Sequence, residues 1–236
     1  DFAMDCRGLL CGMGNTGSMT SADELNEQYD ADGSVTQVPE RNDEVHAGES
    51  AVAQSRESAV TIPAGTVVLA ATPIGNVGDA SARLVALLER ADIVAAEDTR
   101  RLYDLARRLG VYVNGRVIAY HDHNERDKAD GLLDQVETGA TVLVVSDAGM
   151  PTINDPGLAI VRRAIERGLP VTCAPGPSAV LDALALSGLP TDRFCYEGFL
   201  PRKHSERVQY LRTLLPERRT IVFYESPHRL VKTLTQ

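Results

Sequence analysis

The sequence has no tryptophan, 5% aromatic residues and four cysteines in 236 residues. Cys6, Cys11, Cys173 and Cys195 fit neither zinc-site nor redox spacing, and a chain of this length does not need disulfide staples. A reducing, cytoplasmic compartment is expected. Long apolar runs are also missing, since the longest, Val67–Ala71 and Leu84–Leu88, are five residues each. A membrane-spanning helix takes about 20 apolar residues and a signal-peptide core about 7–15, so neither is expected, and no membrane partner with them. The rest is ordinary globular composition, 43% apolar and 24% charged, enough for one large or two small domains.

Charge is unevenly placed. Residues 1–65 hold twelve acids and three bases, which accounts for the whole net charge of −9, while residues 66–236 balance at twenty-one of each. An acidic protein would ordinarily be a poor nucleic-acid binder, but a neutral folded part can still carry a local basic patch. The segment 1–64 is rich in Asp, Glu, Ser, Thr, Gly and Asn and shows no sustained apolar period. It cannot bury enough surface to offset its ordering entropy, and is predicted to be a disordered acidic extension.

After Pro63 short β-branched runs alternate with helical periodicity. The strands are predicted at Thr66–Ala71, Asp92–Ala96, Arg116–Tyr120, Thr141–Ser146 and Pro170–Ala174. The helices are predicted at Ala80–Arg90, Arg100–Leu109, Glu125–Glu137, Gly157–Arg167 and Pro177–Leu186. Five alternations are the mark of βαβ units, so an α/β fold with a mostly parallel, doubly wound sheet is expected over 65–189. From 190 to 236 a second α/β domain begins. Phe194–Phe199 reads as a connection or short strand, Ser205–Leu215 as a helix, Thr220–Tyr224 as a strand and Pro227–Gln236 as the start of another helix. A lone strand has no sheet to join, so this second domain is expected to be truncated.

Ligands of open parallel sheets bind beyond the carboxyl ends of the strands. Polar or Gly/Pro-rich clusters follow all five predicted strands: Thr72–Asn76, Glu97–Arg100, His121–Glu125, Asp147–Gly157 and Pro175–Ser178. One composite site is the economical explanation. The first cluster lacks the glycine spacing of a dinucleotide fingerprint or phosphate loop, which weighs against NAD and ATP. Glu97, Asp98 and Arg100 read equally well as a helix cap with first-turn acids and as groups that hold a ribose or orient a substrate. His121 and His123 lie in a loop without a third spaced ligand, so no metal is expected. Arg202, Lys203, Arg207, Arg212, Arg218 and Arg219, opposed by Glu206 and Glu217, form either a solvated face or a phosphate-contacting surface. Phe199, His204 and Tyr210 nearby are able to stack on bases.

Taken in order, Thr-Pro-Ile-Gly-Asn, Ala-Ala-Glu-Asp-Thr-Arg, His-Asp-His-Asn-Glu, Ser-Asp-Ala-Gly-x-Pro-x-Ile-Asn-Asp-Pro-Gly, Pro-Gly-Pro-Ser, Asp-Arg-Phe-Cys-Tyr-Glu-Gly-Phe and Phe-Tyr-Glu-Ser closely resemble the bacterial 16S rRNA (cytidine) 2′-O-methyltransferases of the tetrapyrrole-methylase superfamily. The resemblance runs from about Thr66 to the last residue. It implies two α/β domains, S-adenosylmethionine in the cleft between them, 16S rRNA of the small ribosomal subunit as substrate, and a homodimer. By motif match it places Pro73, Asp147, Ala148, Gly149, Ile153, Ser178, Ala179 and Glu225 around the methyl donor. Glu97, Asp98 and His121 are then candidates for the group that takes the acceptor proton, with Arg100 orienting phosphate or the acids. Two alternatives stay open within the fold: a small-molecule methylase of the tetrapyrrole type and a non-catalytic RNA-binding relative. A metal-dependent hydrolase built on the two histidines is the remaining rival.

Overall fold

The computed structural model describes residues 60–235. Most of the acidic extension, residues 1–59, lies outside the described residues. Strands β1 (Val67–Ala70), β2 (Ile93–Ala96), β3 (Arg116–Ala119), β4 (Val142–Val145) and β5 (Val171–Ala174) form one parallel sheet in the order β3-β2-β4-β1-β5. Each is shorter than predicted by a residue at one or both ends, because the flanking residues already turn into the loops. Helices α1 (Ala82–Arg90), α2 (Thr99–Leu109), α3 (Glu125–Glu137), α4 (Leu158–Glu166) and α5 (Ala179–Leu186) connect and follow the strands. The first starts at Ala82, and not at Ala80, because the Ser81 hydroxyl accepts the Leu84 amide at 3.0 Å and fixes the first turn there.

β2 and β4 are buried at every position, as continuous small and β-branched runs require in a sheet covered on both faces. Alternate residues serve opposite faces. Val67, Ile93, Ala95, Val142 and Val144 pack with Leu133 of α3 and Ile160 of α4. Val68, Ala70, Val94, Leu143 and Val145 pack with Leu84 and Leu88 of α1 and Leu102 of α2.

The chain crosses the sheet in one direction from β1 to β3, then turns back to β4 and β5. Crossovers keep one hand, so a reversal of direction changes face. Hence α1 and α2 cover one side, α3 and α4 the other. β1 and β4 are neighbours, paired from Val67–Val142 to Ala70–Val145, yet their outgoing connections leave toward opposite faces. A crevice opens at their carboxyl ends, the switch point where ligands of open α/β sheets bind.

Beyond Pro190 the expectation of a solitary strand is corrected. Phe194–Phe199 is a full strand, β6, and it pairs in parallel with β7 (Thr220–Tyr224). Helix α6 (His204–Thr213) is the crossover that a parallel pair requires, and α7 (Pro227–Leu234) follows. The register slips between Tyr196 and Phe199, where Gly198 takes φ +65°. No helix among the described residues is long and apolar enough to cross a membrane.

Candidate functional site

The crevice floor is stitched by the backbone. Thr72, one residue past the buried Ala71, exchanges both backbone hydrogen bonds with Gly149 (2.9 and 3.0 Å), and its hydroxyl donates to the Ser146 carbonyl. Gly149 takes φ +83°, and a Cβ there would sit 3.5 Å from the Ile74 side chain. Beside it, the ends of β2 and β4 trade carboxylates. The Asp147 amide donates to the Glu97 carboxylate at 3.1 Å, and the Asp98 amide donates to the Asp147 carboxylate at 3.2 Å. Each acid satisfies an amide at the end of the neighbouring strand.

The loop from Asp147 to Gly157 is held in an uncommon shape. Thr152 (φ +76°), Asn154 (φ +62°) and Gly157 (φ +129°) are all left-handed, and a β-branched residue there is strained. The Thr152 amide donates to the Pro156 carbonyl at 3.2 Å. From α3, the Glu125 carboxylate accepts the amides of Gly157 (2.8 Å) and Ala159 (3.4 Å), capping α4 from outside. Removing that carboxylate leaves the first turn of α4 without this partner and frees the loop end. Glu125→Ala should lower stability by about 1–2 kcal/mol in a denaturant titration and loosen ligand binding, and an unaltered midpoint would contradict the capping role.

Above the floor lies a cleft of about 200 Å³ lined by Ile74, Glu97, Asp147, Ala148, Gly149, Met150, Ile153, Asn154, Asp155, Ser178, Ala179, Phe199 and Tyr224. It runs into a second hollow of about 300 Å³, with Ile74, Ala179, Phe199 and Tyr224 common to both and Val222 to Pro227 closing its far side. The strand ends of the five-stranded sheet form one wall and the β6–β7 pair the other. Phe199 is half exposed and meets the Tyr224 ring edge to face, 5.6 Å between centroids.

Of the residues proposed from sequence, Asp147, Ala148, Gly149, Ile153, Ser178, Ala179 and Glu97 line the first cleft. Pro73 is outranked by its neighbour Ile74, whose side chain supplies that part of the wall. Glu225 borders the second hollow, but its carboxylate is nearly buried and faces α7, accepting from the Ser226 amide and the Thr233 hydroxyl with Arg229 at 3.3 Å. Asp98 caps α2, accepting the Arg100 amide at 2.8 Å, and its carboxylate pairs with the Arg100 guanidinium. That pairing holds the Asp98 carboxyl down at about 2. The helix-cap reading is therefore the one the structure displays for these two residues, and neither lines the first cleft. His121 is also outside its lining: the Asn124 side-chain Nδ2 donates to Nε2 at 2.9 Å while the Asn124 Oδ1 accepts the His121 backbone amide. Among the described residues no group of His, Cys, Asp and Glu has metal-holding geometry.

Asp155, Ile74, Met150 and Tyr224 also line the cleft and are not singled out by sequence reasoning. Burial raises the carboxyls of Glu97, Asp147 and Asp155, and neighbouring acids raise each further: Asp147 and Asp122 act on Glu97, Asp98 on Asp147, and Glu97, Asp147 and Asp122 on Asp155. Arg101, 3.3 Å from Asp147, only partly offsets this. Asp155 reaches about 6, the largest of the three effects, through desolvation first and then the charge of Glu97. In the basic stretch, Arg207 is corrected: it is 4% exposed and donates to the Pro201 carbonyl at 3.1 Å, so it braces the loop into α6 and forms no part of an exposed basic face. Arg202, Lys203, Arg212, Arg218 and Arg219 remain at the surface. Tyr210 donates its hydroxyl to Glu197.

Residues 66–236 match the family model of tetrapyrrole (corrin/porphyrin) methylases. The chain belongs to this family. Its fold, a parallel sheet with a loop-built crevice facing a second αβ layer, is accordingly that of a tetrapyrrole methylase. Among similar proteins, the "Ribosomal RNA small subunit methyltransferase I" of Mycobacterium bovis is 54% identical over 170 residues, which are 72% of this chain and 60% of the relative. Proteins of the same name from Escherichia coli O157:H7 and Halalkalibacterium halodurans are 47% and 45% identical over 170 residues, 72% of this chain and 59% and 58% of theirs. This tetrapyrrole methylase chain thus spans about 60% of the length of the curated relatives it matches.

Proposed function

We propose that this chain forms the donor-binding part of an S-adenosylmethionine-dependent methyltransferase that modifies the ribose 2′-hydroxyl of a cytidine in the decoding region of 16S rRNA. The observation that carries the reading is the crevice at the β1–β4 switch point, in a chain whose relatives bear the name of a small-subunit rRNA methyltransferase. The domains would be 65–189 and a second α/β unit in 190–236, with the protein acting as a cytoplasmic homodimer.

The residues present suit that donor. Its adenosine and methionine parts need backbone groups and apolar walls, which Ala148, Gly149, Ile74, Ile153 and Ala179 provide. Ser178 precedes α5 without a side-chain cap, so the first turn, whose Val180 amide faces the Tyr224 phenol, presents a helix N-terminus of the kind that favours a carboxylate. Pro73 would stiffen the approach of Ile74, and Glu225, by holding Ser226 and Arg229, would brace the opposite wall. The donor would supply an electrophilic sulfonium methyl, so the protein's work is to align an oxygen with it and keep water out. Phe199 and Tyr224 would shield the cleft, and the exposed bases from Arg202 to Arg219 would meet rRNA phosphates.

Two measurements test this. Labelled methyl should pass from S-adenosylmethionine to small ribosomal subunits and not to a porphyrinogen. Nucleotide mapping of rRNA from cells with and without the protein should show one 2′-O-methylcytidine missing in its absence. Transfer to the porphyrinogen alone would move the assignment to a small-molecule methylase, and donor binding without any transfer would indicate a non-catalytic relative.

A further inference from the structure

We propose that Asp155 is the catalytic base, receiving the proton of the acceptor hydroxyl as the methyl group is transferred. The inference rests on the proposed O-methyl transfer and adds the identity of the proton acceptor to it.

Placement comes first. Asp155 lines the cleft between the strand-end wall, represented by Glu97 and Asp147, and the aromatic wall of Phe199 and Tyr224. It is carried there by the left-handed Asn154 before it and the buried Pro156 after it, in a loop pinned by Glu125. Strain concentrated around one carboxylate in a cleft is a common accompaniment of function.

Three other carboxylates near the cleft are committed, and Asp122 lies outside its lining. Asp98 is occupied by Arg100, Glu97 accepts the Asp147 amide, and Asp147 accepts the Asp98 amide with Arg101 beside it. His121 already accepts from Asn124 and stands apart from the cleft. Asp155 takes no backbone amide of this kind.

Its surroundings suit the task. Glu97, Asp147 and Asp122 bear on Asp155 from the ends of β2, β4 and β3, and the Ser146 hydroxyl, which donates to the Gly149 carbonyl, lies beside it. From the second sheet the phenols of Tyr196 and Tyr224 also feel its charge. Desolvation and three neighbouring acids bring its carboxyl up to about 6, so it is ionised at neutral pH yet basic enough to take a proton. In the step, an oxygen lone pair of the ribose hydroxyl forms the new O–C bond while the C–S bond breaks and its electron pair stays on sulfur, giving a neutral thioether. The hydroxyl proton passes to the Asp155 carboxylate and from the resulting acid to solvent.

The test uses the purified protein, S-adenosylmethionine and small ribosomal subunits. Asp155→Asn should lower kcat by about 10²-fold or more, leave calorimetric affinity for S-adenosylmethionine within a few-fold, and leave the melting temperature no lower than wild type. Wild-type turnover should rise with pH along a limb centred near 6, and that limb should vanish in Asp155→Asn. Asp155→Glu, which keeps the carboxylate, should recover a measurable part of the rate, and it serves as the active comparison if the Asn variant folds poorly. Wild-type-like kcat and an unchanged pH limb in Asp155→Asn would overturn the assignment. Failure of the wild type itself to methylate the subunits would instead overturn the proposed function, so the two failures are distinguishable.

Discussion

Ala179→Trp should abolish S-adenosylmethionine binding while leaving the protein folded. Ala179 is the first residue of α5 and lines both hollows, at the seam between the strand-end wall and the aromatic wall. The cleft above the floor is only about 200 Å³, so an indole at that seam takes the space that a nucleoside would need. First-turn positions have no preceding helical turn to clash with, and Ala179 is only partly buried, so the helix itself tolerates the change. Affinity should drop at least about 100-fold, equivalent to about 2.7 kcal/mol, in calorimetry, with a melting temperature within a few degrees of wild type. Undiminished affinity in a well-folded variant would mean that the donor sits elsewhere.

The largest stability effect is expected from a glycine far from the cleft. Gly115 opens β3 against the start of β2, and a Cβ built on it would lie 2.2 Å from the Ala91 carbonyl oxygen and 3.0 Å from the Asp92 backbone. Nothing in that contact is a flexible side-chain tip. The only relief is to push β3 away from β2, which strains the Arg116 amide bond to the Asp92 carbonyl (2.9 Å) and the Asn114 contact with the Glu89 carbonyl (2.9 Å). Gly115→Ala should therefore cost about 3 kcal/mol, seen as a melting temperature lower by roughly 10 °C. A shift under about 2 °C would show that the edge strand gives way freely.

Much of this architecture is written in short-range patterning. Runs such as Ile93–Ala96 and Val142–Val145 are apolar at every position, which only a doubly covered sheet accommodates, and the decorated strand ends mark where its loops converge. Other features depend on tertiary pairing. Phe194–Phe199 is interrupted by Gly198, so its strand character becomes evident only once Thr220–Tyr224 lies beside it. Arg207 looks like its basic neighbours until the Pro201 carbonyl turns toward it. Asp98 and Arg100 have residue types equally suited to a cap and to a catalytic pair, and only the 2.8 Å bond to the Arg100 amide separates the two. For Asp155 the deciding facts are its place in the cleft wall and the nearness of Asp147 from its own loop and of Glu97 and Asp122 from two loops distant in sequence.

The two sides of the cleft differ in how they are tied down. One is knit into the middle of the five-stranded sheet by Thr72, Gly149, Glu97 and Asp147, so its shape shifts only if the central strands do. The other rides on a two-stranded ribbon with a bulge at Gly198. Drift among descendants of such a scaffold is then channelled to the ribbon side, where residues are exchanged without disturbing the strand-end wall.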